Sequence, residues 1–583
     1  MMMKTKKGTE HLHKYIVEQD NSAYTPVEQA TWRFILRLLS DFFKDHAHPF
    51  YHEGLRAAGI NTEEIPSIQN MRQALMEYGW KTVPVSGFIP PSAFLEMQAL
   101  GFLPIAKEMR TVDHIAYTPA PDIIHEAAGH APYLAHPEFS DYLHQYADVA
   151  KKAIISSEDY AVYSGIRKLS DIKEHPDSTE AEIAQATKEL NDAVNSVTYV
   201  SEAAKSSRLY WWTAEYGLVG PMDNPKIYGA GLLSSIGEAK KCFDPSVKKL
   251  PLSLDCIETS FDITEMQPQL YVAESFQHLK DVLQELASSF AYQIGGKYGL
   301  DEVIRAKTIN SIELDSGLQI SGEFEKYIEH EGQIIYVKTD GPTQLCFDGH
   351  ELLGHDKNYH SHGYSTILER PNGADKALHL MNKSELQTLG IEEGKNCELN
   401  FPSGIRLKAF VKEIAMLNDL PLILVLEKAS IEKNGEVLFS PDWGTFDMGL
   451  GEKVVSAFAG PADYPSYGDC ENFDAIIIPR REQDEQEKRK QSFYQKVRDL
   501  RESYKKTQDI KALEEQIDAL YDELQSQHPG EWLAKMQLYE LSLQSTKKQD
   551  IALQLKQDLL AVAKDKPDLA MHIEDSINLA RAI

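Results

Sequence analysis

The hydrophobic period of this 583-residue chain changes twice, and that limits what it can fold into. Up to about residue 310 apolar residues recur at helical spacing; Phe34, Leu36, Leu38, Leu39, Phe42 and Phe43 cluster on one such period. From about residue 311 the pattern alternates. Ile405, Leu407, Ala409 and Val411 take turns with Arg406, Lys408 and Phe410, and Leu422 to Leu426 and Ile334-Ile335-Tyr336-Val337 are short apolar runs. These read as strands, with Gly, Asn, Asp and Pro between them as turns. After Arg480 the chain is charged and helical again. Phe493, Val497, Leu500 and Tyr504 fall at i, i+4, i+7 and i+11, and Leu513, Ile517, Leu520 and Leu524 repeat that spacing until His528-Pro529-Gly530. Such stripes pack against a neighbour; a short coiled coil with a second chain is the sharper alternative. The length exceeds what one core holds. The reading is a multidomain protein: a mainly α part over 1–310, a β-rich domain over 311–478, and a helical hairpin or coiled-coil-like region over 479–583 that offers a homo-oligomer contact.

Inside the first region stands His125-Glu126-Ala127-Ala128-Gly129-His130. Two histidines and one distant glutamate can form a 2-His-1-carboxylate face. Such a face holds non-haem Fe(II) and leaves positions open for dioxygen. In the zinc-peptidase motif the histidines are four apart and the intervening Glu is a base. Here the gap is five, which excludes a metallopeptidase. A regular helix would not stack the two rings, so the chain is expected to bend or unwind near Gly129.

Composition narrows the partners. A net charge of −29 and a sequence pI of about 5.1 argue against nucleic acid and anionic membranes. Five scattered cysteines (Cys242, Cys256, Cys346, Cys397, Cys470) form no C-x-x-C, which suits a reducing, cytoplasmic setting. Met1 to Gly8 is basic but no apolar stretch follows, so no signal peptide is read. No run of ~18 apolar residues suggests a membrane span.

The hexapeptide does not stand alone. Tyr117-Thr118-Pro119-Ala120-Pro121-Asp122-Ile123-Ile124 precedes it, and Trp211-Trp212-Thr213-Ala214-Glu215-Tyr216-Gly217 follows. Tyr24-Thr25-Pro26-Val27-Glu28-Gln29-Ala30-Thr31-Trp32 comes first in the chain, then Val83-Pro84-Val85-Ser86-Gly87 with Phe94-Leu95. Tyr228-Gly229-Ala230-Gly231-Leu232-Leu233-Ser234-Ser235 and Tyr271-Val272-Ala273-Glu274-Ser275-Phe276 complete the series. In these motifs and their order the first 300 or so residues resemble the pterin-dependent aromatic amino acid hydroxylases.

The resemblance implies a mainly α catalytic domain with two cofactors, Fe(2+) and a tetrahydropterin. It maps the iron ligands onto His125, His130 and Glu215, with Asp122 and Ser234 orienting the first histidine. Phe94 matches the ring on which the pterin stacks, Glu126 a glutamate on the pterin side, and Tyr210 a residue near the iron-bound waters. Glu126 and Tyr210 are thus the catalytic candidates. Arg110 matches the arginine that holds the substrate carboxylate, and a planar guanidinium suits that task. Thr118, Pro121, Trp211, Gly231 and Ser234 would line the substrate pocket. The implied partners are a free aromatic amino acid and O2, one oxygen atom entering the ring. Phenylalanine is preferred, because the bulk of Trp211 leaves less space for an indole. Hydroxylation of tyrosine or tryptophan is the alternative. A non-catalytic iron-binding scaffold acting through its C-terminal half and a fused second enzyme are further readings.

Three departures stand out. Pro90-Pro91 removes two backbone donors from the pterin loop. His130 and Glu215 are 85 residues apart, farther than in the family, so residues 151–205 hold an insertion, read as a surface helical hairpin ahead of a lid or oligomer contact. A second hexapeptide, His350-Glu351-Leu352-Leu353-Gly354-His355, lies in the β-rich region beside His360 and His362. It lacks the flanking motifs. It reads first as a loop with solvated histidines, then as an adventitious or structural metal site, then as a second iron centre, and it is left out of the site.

Overall fold

The computed structural model describes residues 9–115, 121–174, 178–263, 265–468, 470 and 483–581; Tyr117 and Thr118 lie outside them. The helix Pro26–His46 starts at a capping box, in which the Thr25 hydroxyl accepts from the Glu28 N–H and the Glu28 carboxylate accepts from the Thr25 N–H. Pro26 occupies the first turn, where no backbone donor is needed. Trp32, Phe34, Ile35, Leu36, Leu38, Leu39 and Phe43 are all buried, so this helix lies through the core rather than on it. Around it, short strands form two small sheets. β1 (Lys81–Val85) runs parallel to β2 (Phe102–Ala106), and β3 (Leu218–Val219), β4 (Lys226–Ile227), β5 (Lys248–Pro251) and β6 (Gln269–Ala273) pair in the order β4-β3-β6-β5.

Residues 151–205 fold largely as an antiparallel pair, Ser157–Glu174 and Glu180–Ser196. The two helices cross closely: a Cβ on Gly165 would stand 3.1 Å from the Leu190 Cα. Within the pair's described residues only Leu169 and Ala186 are buried, so it is a hairpin on the surface.

The alternating segments form two further sheets. β7 (Ile309–Leu314), β8 (Leu318–His330), β9 (Gln333–Phe347), β10 (His350–Glu351), β11 (Ser365–Ile367) and β17 (Val454–Ala459) make a sheet ordered β10-β9-β8-β7-β17, with β11 also on β9. β12 (Asn396–Asn400), β13 (Ile405–Leu417), β14 (Leu420–Lys433), β15 (Glu436–Phe439) and β16 (Phe446–Gly449) make the other, ordered β12-β13-β14-β15 with β16 on β14. Four hairpins turn on residue pairs with positive φ at both positions: Glu331-Gly332 (50°, 80°), Asp348-Gly349 (49°, 68°), Asn418-Asp419 (50°, 65°) and Asn434-Gly435 (52°, 87°). That conformation matches the twist of the flanking strands. The first sheet also buries Leu300, Val303 and Ala306 of the helix Gly296–Ala306.

The last region corrects the coiled-coil expectation. It forms five helices, Glu485–Thr507, Ile510–Gln527, Trp532–Ser542, Gln549–Asp565 and Pro567–Arg581, and these return to the first region. Phe493, Val497, Leu500, Leu513, Ile517, Leu520 and Leu524 join one continuous core with Trp32 and Phe34. Phe34 meets Trp532 edge-on at 5.3 Å, and Arg33 and Arg37 reach Glu540 at 2.6 and 2.8 Å. Lys240 pairs with Asp575. The stripes that could have sought a second copy are satisfied within the chain. Among the described residues no helix is long and apolar enough to cross a membrane.

Candidate active site

His125–His130 is one turn of π-helix, continued as α-helix from Ala131. The Ala131 N–H donates to the Glu126 carbonyl, a five-residue step that sets side chains five apart on one face. Both histidines therefore point the same way, with rings 5.0 Å apart and Nε2 atoms 3.2 Å apart. The chain unwinds here as expected, but over the whole turn rather than at Gly129 alone. Gly129 serves packing instead, since a Cβ there would stand 2.7 Å from the Ala230 carbonyl oxygen.

Glu215 arrives on a second π-turn, Trp211–Glu215, closed by the Tyr216 N–H on the Trp211 carbonyl at 2.8 Å. Its backbone is crowded by glycines. A Cβ on Gly229 would lie 2.5 Å from the Glu215 oxygen, and one on Gly231 would lie 2.7 Å from the Tyr216 ring. These contacts explain the Gly-Ala-Gly in physical terms. The Glu215 carboxylate oxygens lie 3.0 Å from His130 Nε2 and 3.4 Å from His125 Nε2. Donors about 2.1 Å from one shared ion and at right angles stand about 3.0 Å apart. The three side chains thus have the chemistry and spacing of a facial metal triad.

The electrostatics suit a cation. Burial holds His125 neutral, down to about 4. Burial also works against the charged ring of His130, but the Glu215 carboxylate, by charge and hydrogen bond, carries it up to about 9. Despite burial, the two histidines hold Glu215 below the usual carboxylate range. Ser234 Oγ bonds His125 Nδ1 at 3.0 Å and so fixes the ring's outer nitrogen. Asp122 acts differently from the expectation. Its carboxylate accepts from the His125 backbone N–H at 3.0 Å and does not reach the ring. The same carboxylate grips Arg110 through Nε and Nη2 at 2.7 and 2.8 Å, and Arg110 Nη1 donates to the Ser234 carbonyl. Three of the guanidinium's five N–H groups are so engaged.

The triad opens into a cavity of about 2320 Å³, whose walls include Phe94, Pro121, Glu126 and Tyr210. Phe94 and Tyr210 meet edge to face at 6.4 Å. Burial above all raises Glu126 to about 8, and its Oε2 is buried without a hydrogen-bond partner. An unpartnered acceptor beside an aromatic ring fits a flat, polar-edged heterocycle. Of the two prolines of this loop, Pro91 opens the helix Pro91–Ala99 that carries Phe94, at a position that needs no backbone donor within the helix.

Across the whole sequence, the model of the biopterin-dependent aromatic amino acid hydroxylases matches residues 7–160 and 176–318, about half the chain. This chain belongs to that family. Of the interval the match omits, 161–175, residues 161–174 fall within the first helix of the surface hairpin. Among similar proteins, a phenylalanine-4-hydroxylase of Dictyostelium discoideum is 30% identical over 281 residues, 47% of this chain and 54% of its own length. That of Vibrio cholerae is 24% identical over 295 residues, 50% of this chain and 86% of its own. The chain spans about half the length of the Dictyostelium and mammalian relatives it matches. A phenylalanine hydroxylase structure from Chromobacterium violaceum shares 25% identity, covers 48% of this chain and 88% of that one, and gives a TM-score of 0.36. No family match covers residues beyond 318.

Other hydroxylase-family positions lie off the cavity. Arg110, Trp211, Gly231 and Ser234 are not in its wall, and Thr118 is outside the described residues. Trp211 stacks at 4.3 Å on Phe261, and it is Phe261 that faces the cavity. The Trp211 indole N–H donates to Gln267, whose backbone N–H donates to the buried Glu238. Sequence reading missed Phe261 and Tyr146, because neither sits in a motif. Tyr146 packs 4.7 Å from Tyr210 and was detectable only as one more aromatic in an amphipathic helix. The hairpin's inner face (Tyr160, Tyr163, Ile166) and β-domain residues Glu313, Gln319 and Phe458 wall the cavity's far side. The hairpin is both on the surface and part of the approach.

Proposed function

We propose that the chain hydroxylates the ring of a free aromatic amino acid, with phenylalanine converted to tyrosine. The observation that carries this is the convergence of His125, His130 and Glu215 at one side of a cavity whose nearby wall bears Phe94 and Glu126. Iron and a tetrahydropterin, when bound, supply the activation of O2. The protein's part is binding and orientation. His125, His130 and Glu215 hold the metal, and Ser234 fixes the His125 tautomer. Phe94 offers a stacking face for the pterin and Glu126 a polar partner at its edge, and Tyr210, packed against both Phe94 and His130, would line the space beside the metal-bound waters. The substrate carboxylate is assigned to Arg110 by its place in the family motif; its guanidinium is buried behind the cavity wall, so substrate must uncover the N–H groups that Asp122 and Ser234 leave over. The match to the biopterin-dependent aromatic amino acid hydroxylases supports the pterin.

Substrate choice rests on the Trp211–Phe261 stack. Two packed aromatic groups, one of them on the cavity, leave less width for an indole than for a phenyl ring. An apolar pocket rejects an added hydroxyl poorly, so tyrosine is the nearer competitor. The test offers phenylalanine, tyrosine and tryptophan with tetrahydropterin, Fe(II) and O2 and compares kcat/KM. Phenylalanine is expected first. Tryptophan preference overturns the steric argument, and the absence of any ring hydroxylation overturns the function.

A further inference from the structure

The second hexapeptide behaves unlike the first. His350 turns outward and bonds the Asp348 carbonyl, and Glu351 is buried as an acceptor for Gln344. His355 instead turns inward to His360, with Nδ1 and Nε2 3.2 Å apart, the same separation as between His125 and His130. Asp447 completes the group: one donor atom from each of the three lies within 4.8 Å of the others.

We propose that His355, His360 and Asp447 form a second site for a divalent transition-metal ion, of the kind zinc fills, that ties the two β-sheets together. The donors are buried, with His355, His360 and Asp447 only 7%, 8% and 3% exposed. Both Asp447 oxygens are buried and make no hydrogen bond of ordinary geometry, with the Tyr359 phenol the one donor acting on them. A buried carboxylate so weakly satisfied is costly unless a cation meets it. Burial opposes its charge above all, and among the groups acting on it, Tyr359, Lys412 and Glu413, only Lys412 is cationic. Two nitrogens and one carboxylate suit a borderline ion better than calcium or magnesium, which take oxygen ligands.

The placement gives the ion a task. The loop carrying both histidines lies on β9, where the Thr343 N–H donates to the His360 carbonyl and the Leu345 N–H to the His355 carbonyl. Asp447 sits on β16, opposite Val425 of β14 in the other sheet. Nearby, the Tyr364 hydroxyl accepts from the Gly449 N–H and the Thr366 hydroxyl donates to the Gly449 carbonyl. An ion among the three side chains crosslinks sheet to sheet at a point already joined by hydrogen bonds.

The experiment counts total metal per chain by elemental analysis after loading full-length protein with Fe(II) and Zn(II) and desalting. Wild type should hold two ions. Asp447→Asn, which keeps the shape, and His360→Gln should each hold one and still hydroxylate. Glu215→Ala should keep one, and Glu215→Ala/Asp447→Asn none. His350→Ala should keep two. Zinc added to chelated wild type should raise Tm, and the rise should vanish in whichever of Asp447→Asn and His360→Gln shows a native near-ultraviolet circular dichroism spectrum. If both variants fold and still hold two ions, or if wild type holds one and Glu215→Ala none, the site is refuted. Because the count does not depend on turnover, failure of the proposed hydroxylation leaves it readable.

Discussion

His125 to His130 and His350 to His355 are the same pattern, His-Glu-x-x-Gly-His, in two regions of one chain. In the first, a π-turn aligns both histidines and a distant helix brings Glu215 to them. In the second, β10 holds the first histidine outward, and the last one finds His360 and Asp447 instead. Even the shared glycine differs. Gly129 has no space for a Cβ beside Ala230, whereas Gly354 has open space and a φ of 85°. Asp122 caps the first pattern three residues upstream by accepting the His125 N–H, while Phe347 stands there in the second. Backbone path, not side-chain pattern, decides what a histidine pair becomes.

The contrast can be broken at several points. Glu215→Ala should give folded protein with little iron at the first site and no measurable turnover; iron analysis finding a full complement there would remove Glu215 from the ligand set. Arg110→Ala should raise KM roughly ten- to hundred-fold, since a charge-assisted bidentate contact contributes on the order of 1.5–3 kcal/mol at about 1.4 kcal/mol per decade. Steady-state kinetics with unchanged KM would assign the carboxylate to another cation. Gly129→Ala should cost about 1–3 kcal/mol by overpacking against Ala230 and speed iron loss to a chelator. Iron retention equal to wild type would mean the π-turn tolerates the added methyl. Gly354→Ala should lower stability in urea by about 1–2 kcal/mol, for placing an L-residue in left-handed backbone, with iron and turnover intact. His350→Ala should change stability by less than about 0.5 kcal/mol and leave iron and activity as they were. Lost hydroxylation in folded His350→Ala would mean the second pattern serves the first.

Much of the local structure was legible. The 3.6-residue period of Phe34 to Phe43 and the alternation of Ile405 to Val411 gave a helix and a strand because side-chain direction follows backbone period directly. The Gly, Asn, Asp and Pro between strands marked turns, and at Asn434-Gly435 the turn takes positive φ twice in succession, which few residues accept. The triad could be named from spacing, chemistry and resemblance. Its backbone could not: a five-residue gap is equally consistent with a kink, an unwound turn or the π-turn found here, and packing against Ala230 selects among them.

The sequence by itself determined the long helices and the long strands after residue 310, though not β1 to β6, and which donors the first site contains, since these depend on residue type and short-range spacing. The tertiary structure alone decided who meets whom over long distances. The C-terminal stripes encode an apolar face but not its partner, and only folding shows that face on Trp32 and Phe34, locked by Glu540 on Arg33 and Arg37. Likewise nothing in the spacing joins Asp447 to His355 and His360; two sheets must stack before their donors come within reach of one ion. An amphipathic pattern states that surface must be buried, and the free energy of burial is nearly indifferent to what covers it; the identity of the cover is therefore a property of the assembled chain.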